Sequence, residues 1–187
     1  FSSEPIHEQK YCFFVMGSHT ARYASLCAQW SEVSGDDTYK ERALRALNWA
    51  SYMANEDGTV TVGVDRPDYY NQCWFTDGYF DYVPHFLDVM AHIPTCAPAN
   101  EDHLLASTTI VKAIEYGHRK ICYRTFDKDG NQTLRLSFSP AKVICNGKPL
   151  PKRISITHEP GWTFDSEQMV LKIHHQEADI EITGNED

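Results

Sequence analysis

Apolar residues recur at helical spacing from Ser18 onward: Tyr23, Cys27, Trp30 and Val33 share a face, Ser18 suits an N-cap, and Gly35 stands where the helix should stop. A second helix is predicted at once. Asp36, Asp37 and Thr38 are capping residues, and Thr38 with Glu41 fits a capping box opening a run to about Asn55. Ala43, Leu44, Ala46, Leu47, Ala50, Met53 and Ala54 cover more than one stripe of that run, as expected of a helix packed on several sides. Together they predict an antiparallel helical hairpin in a layered helical array. Thr59 to Asp65 alternates like a short strand, and a further helix is expected near Asp77 to Ile93, with Pro84 inside it or Asp81 as a later cap.

Pro94 to Asp102 reads as a linker, and beyond it the period becomes two. Leu134, Leu136 and Phe138 alternate with Arg135 and Ser137, and Ile180 and Ile182 alternate with Asp179 and Glu181. Turn signals fall at Asp129-Gly130, Asn146-Gly147 and Pro160-Gly161. Six to eight short strands of this kind predict an antiparallel sandwich. The expected domains are residues 1–102, helical, and residues 103–187, all-β.

Charge sharpens the division. Residues 1–102 carry six Lys and Arg against fifteen Asp and Glu, so the whole formal charge of −9 belongs to the first part. Such a field repels nucleic acid and anionic lipid, and no apolar run approaches the ~20 residues that cross a bilayer. The six cysteines form no CxxC pair, and Cys27 lies on an apolar helix face; buried free thiols are expected rather than disulfides. The abrupt start at Phe1 suggests the C-terminal piece of a longer protein, and compartment is left open.

Candidate chemistry concentrates in Tyr69 to Phe86, YYNQCWFTDGYFDYVPHF, which holds eight aromatics beside Asp, Asn and Gln. Aromatic faces cover the apolar faces of sugar rings while carboxylates and amides bond their hydroxyls, so the mixture suits a carbohydrate cleft. The helical hairpin, the segment WFTDGYFDYVPHFLDVM and the C-terminal strands with LRLSFSPAKVICNGKPL resemble the six-hairpin glycosidase-like superfamily, whose members join an (α/α) toroid to a β-sandwich. That resemblance implies a multidomain α and β fold, a partial toroid followed by a sandwich. It also implies that His19, Arg22, Trp74, Asp77 and Tyr79 share one rim, with Tyr70 beside them on the aromatic segment.

Asp77, between Trp74 and Tyr79, is the candidate general acid or base; a helix cap is the competing role. Glycoside hydrolysis needs a second carboxylate roughly 5–9 Å away, and Asp81 points along the same helical face, so a partner from a missing N-terminal part of the same protein is expected. Three functions stay open: a glycoside hydrolase-like enzyme, a polysaccharide lyase using His19, Arg22 and Tyr79, and a non-catalytic sugar-binding or structural module. No cofactor is expected, and no metal. His85, Asp88 and His92 at i, i+3 and i+7 lack the i, i+4 histidine pair of helical zinc sites, and the calcium-loop-like Asp127-Lys-Asp-Gly-Asn meets Phe138 where a bidentate acid belongs. His174 and His175 are adjacent in a strand, so their side chains point to opposite faces and cannot chelate together.

Overall fold

The computed structural model describes residues 7–9, 12–15, 17–56 and 77–185, with side chains for 17–56 and 82–185. The chain divides into two compact units, Phe1–Cys96 and Ala97–Asp187. In the first, a two-stranded antiparallel sheet, β1 (His7–Gln9) and β2 (Cys12–Val15), precedes three helices: α1 (Gly17–Ser34), α2 (Asp37–Ser51) and α3 (Asp77–His92). A single 3-10 turn at Pro94–Cys96 follows. The expected strand at Thr59 to Asp65 lies outside the described residues.

Local chemistry explains the helix ends. Ser18 is buried inside the first turn of α1 rather than capping it. Gly35, at φ +70°, takes the left-handed conformation that closes α1, and its N–H donates to Ser31 O at 2.9 Å. Asp36 caps α2 by accepting from Thr38 N at 2.9 Å, and hydrogen bonding with the Thr38 side chain, together with this backbone bond, holds its carboxyl below the usual carboxylate range. The helices then pack through small residues: Ala24 and Ala28 of α1 and Ala43 and Ala46 of α2 are buried in one cluster with Cys27, Leu47, Val89 and Ile93. Ala21, Ala50, Met53 and Tyr82 close the opposite end. Alanine faces let helix backbones approach closely, and a Cβ on Gly17 would lie 2.6 Å from Met53 Cγ.

In the second unit nine strands form two antiparallel sheets. The strands are β3 (His103–Ser107), β4 (Val111–Gly117), β5 (Lys120–Thr125), β6 (Gly130–Arg135), β7 (Pro140–Cys145), β8 (Lys148–Pro149), β9 (Gly161–Asp165), β10 (Val170–His175) and β11 (Asp179–Gly184). Their orders are β3-β6-β10-β9 and β4-β5-β11-β7-β8. One core joins them: Ile121, Tyr123, Val143, Ile180 and Ile182 from the five-stranded sheet meet Leu134, Trp162, Leu171 and Ile173 from the four-stranded one. Trp162 is spent on that core, its Nε1–H donating to Leu150 O at 3.1 Å. The β7–β8 hairpin turns through Asn146 (φ 47°) and Gly147 (φ 75°), the left-handed pair that an Asn-Gly dipeptide supplies.

These observations correct the expected fold class. Among the described residues, three helices beside eleven strands, nine of them in the two sheets of the second unit, make a mainly β fold with no (α/α) toroid. The helical unit offers one antiparallel hairpin, α1 with α2, and one additional helix, α3, packed on α1. The reason is physical: a helical period reveals an amphipathic element, and carries nothing about how many hairpins follow one another round a ring.

Candidate functional site

α1 and α3 lie side by side and run the same way. Arg22 Nε donates to His85 Nε2 at 3.3 Å, Ser25 Oγ and Gln29 Nε2 both donate to Asp88 Oδ2, and His92 Nδ1 donates to Glu32. The face carrying His85, Asp88 and His92 is therefore a polar seam onto α1, with Asp88 fixed by a buried serine hydroxyl. Among the described residues no group of three His, Cys, Asp or Glu side chains is spaced to hold a metal ion. The parallel course brings the backbone of Asp77, the first residue of α3, to the end of the layer where His19 stands, half-buried in the first turns of α1. Arg22, also near that end, is exposed and engaged with His85. Tyr70 and Trp74, and the side chains of Asp77 and Tyr79, lie outside the described residues. With the toroid gone, no observation on the described residues supports glycoside hydrolase-like catalysis.

α1 is turned inside out. The expected stripe of Tyr23, Cys27, Trp30 and Val33 is split: Cys27 is buried and Tyr23 half-buried, whereas Trp30 is 54% and Val33 80% exposed. Leu26, at 59%, completes an outward row at positions i, i+4 and i+7. Trp30 touches the Tyr39 ring edge-on at 6.3 Å, which fixes one flank of the row. The alanines have taken the interior, so the largest apolar side chains of the helix face out.

The second unit holds a polar recess of about 510 Å³, lined by Asp129, Asn131, Ile156, Thr157, His158 and His174. Three segments supply these residues: the β5–β6 turn with the start of β6, the connection 150–160, and β10. That connection is held in place by Arg153, whose backbone N donates to Trp162 O at 2.8 Å, whose Nε donates to Pro160 O at 3.1 Å, and whose Nη2 pairs with Glu159 at 2.8 Å. Strand alternation sends His175 into the core and His174 to this outer face. The His174 side chain is only 8% exposed, and its Nε2 is buried with no hydrogen-bond partner, 3.6 Å from Asp129 Oδ1.

On the inner face the same strand contributes to a polar cluster at one end of the core. His175 Nδ1 donates to Lys128 O at 2.7 Å, and Tyr123 OH donates to Gln132 Oε1 at 3.2 Å. Gln132 Nε2 reaches Ser107 Oγ at 3.2 Å. Burial pushes the Tyr123 hydroxyl up and the His175 imidazole down from their ordinary pKa values. The Cys122 and Cys145 thiols are likewise raised by burial, which leaves them protonated and unreactive.

No protein-family model, curated protein or solved structure matches this chain. The geometry alone therefore speaks for the site. It brings together residues that the sequence pattern does not: Thr157 and His158 sit in an unpatterned connection, and Asp129 and Asn131 belong to the calcium-loop-like turn Asp127-Lys-Asp-Gly-Asn. The signal in the sequence is His174, whose ring strand alternation places on the face opposite His175.

Proposed function

We propose that the chain is a non-catalytic module of a carbohydrate-active protein, and that its helical unit docks through the outward row of α1 onto a further helix of a longer polypeptide containing this sequence. The observation that carries the docking is the inversion of α1, with Leu26, Trp30 and Val33 aligned and exposed over an alanine-packed interior. A row at i, i+4 and i+7 is the pattern by which one helix receives another, and a contiguous apolar row on a soluble surface marks an interaction site. The carbohydrate half of the reading is supported by the aromatic and amide composition of residues 69–75.

Hydroxyl-radical footprinting of this chain alone and of the intact cellular protein tests the docking. Leu26 and Trp30 are expected to be oxidised in the isolated chain and protected in the intact protein. Equal oxidation in both overturns it. Asp77→Asn in the intact protein supplies the catalytic arm: turnover on glycoside substrates should not change, and a loss of roughly a hundredfold or more without loss of fold would make Asp77 a working acid or base.

A further inference from the structure

We propose that the recess formed by Asp129, Asn131, Ile156, Thr157, His158 and His174 binds a neutral polyhydroxylated ligand the size of one sugar ring. The inference rests on the carbohydrate half of the reading above and assigns recognition to residues of the β unit. The volume, about 510 Å³, is within the usual range of small-molecule sites. Its lining supplies both hydrogen-bond senses: the Asp129 carboxylate accepts, and the Asn131 amide, the Thr157 hydroxyl and the two imidazoles each offer a donor or an acceptor. Sugar hydroxyls, which donate and accept at once, satisfy such a mixture.

Charge narrows the choice. Asp129 is the one acidic side chain in the lining and no Lys or Arg is part of it; Lys128 pairs with Glu177 instead, so a phosphate, sulfate or uronate meets the Asp129 carboxylate without a cation in the lining. A metal ion is a poor fit, because the two histidines and Asp129 are not spaced to share one. Ile156 gives an apolar wall for the C–H face of a ring.

The wall is also preorganised. Arg153 fastens the 150–160 connection at both its ends, and Thr157 Oγ1 accepts from Glu159 N at 3.3 Å, which leaves its proton free to donate into the recess. At the floor, His174 Nε2 is buried and lacks a partner, and Asp129 is just beyond hydrogen-bond range at 3.6 Å. A buried imidazole nitrogen without a partner is costly, and a ligand hydroxyl entering beside the Asp129 side chain, which is 72% accessible, would satisfy it.

The experiment is a two-dimensional NMR titration of the 187-residue chain with methyl β-glucoside and methyl α-mannoside, with glucuronate as the anionic control. Saturable shifts at Asn131, Thr157, His158 and His174 are expected with at least one glycoside in the millimolar range, and weaker ones with glucuronate. Thr157→Val, an exposed change that preserves shape, should weaken that binding about tenfold, and His158→Ala should weaken it without disturbing the rest of the spectrum. The absence of saturable shifts at these residues, tighter binding of glucuronate, or affinity unchanged in both variants would overturn the site. Shifts confined to Tyr70 and Trp74 would overturn it too, while leaving the carbohydrate reading standing.

Discussion

His175 is a neutral ring by construction. Its Nδ1–H is committed to Lys128 O and its Nε2 is buried without a partner, so a second proton would place a charge and an unpaired donor inside the core. Burial depresses its pKa, opposed in part by the hydrogen bond that the ring donates to the Lys128 carbonyl and by the Glu177 backbone. In the unfolded chain the imidazole takes up its proton near the ordinary value of about 6.5. The unfolded state then binds more protons than the fold, so stability is full above that pH and declines as pH falls below it, by at most about 1.4 kcal/mol per unit for this one group. Urea melts between pH 7.5 and 5 should show a shallower decline for His175→Leu than for the wild type; parallel slopes would remove His175 as the cause. The opposite facing of His174 and His175 was legible from strand alternation alone. The partners were not: Gln132 meets Ser107 because β6 and β3 are neighbours, and meets Tyr123 of β5 because the two sheets face each other across the core, pairings that no local pattern encodes.

Among the elements, α1 shows where pattern reading stops. Its existence and its end at Gly35 follow from spacing and from the left-handed glycine, but the buried side does not. Three alanines, Ala21, Ala24 and Ala28, on one side and three large apolar residues on the other give two candidate interiors, and the matching alanines of α2 decide between them. The two sides should respond oppositely to mutation. Ala28→Leu inserts volume where no space exists and is expected to cost about 1–3 kcal/mol. Val33→Ser, on the outward row, should change stability by less than about 0.5 kcal/mol in the isolated chain. Denaturant unfolding measures both, and a large loss for Val33→Ser would mean that the row is already packed. The α2 start illustrates a smaller difference: a Thr38 capping box was expected, and Asp36 took the role because its carboxylate reaches Thr38 N across the same short connection.

For the whole molecule, the change of hydrophobic period from 3.6 to 2 was visible in the sequence, and the structure divides at Cys96 and Ala97. The ring of hairpins was an extrapolation from one hairpin, and the charge asymmetry carried no information about architecture. Strand order was equally hidden, because alternation marks strands without naming their neighbours. That order has a consequence in time. β11 lies between β5 and β7, so the strand made last among the described residues is the one that joins the β4-β5 and β7-β8 pairs into a single sheet. Partners separated by more than fifty positions, such as Ile121 and Ile182, make closure slow compared with the local hairpins. A ribosome-tethered chain stopped before Asp179 should therefore remain open to protease throughout 111–149, and become resistant once β11 has cleared the exit tunnel. Until β11 is made, the five-stranded sheet is two unjoined hairpins with an exposed apolar side, an interval in which chaperone capture competes with folding.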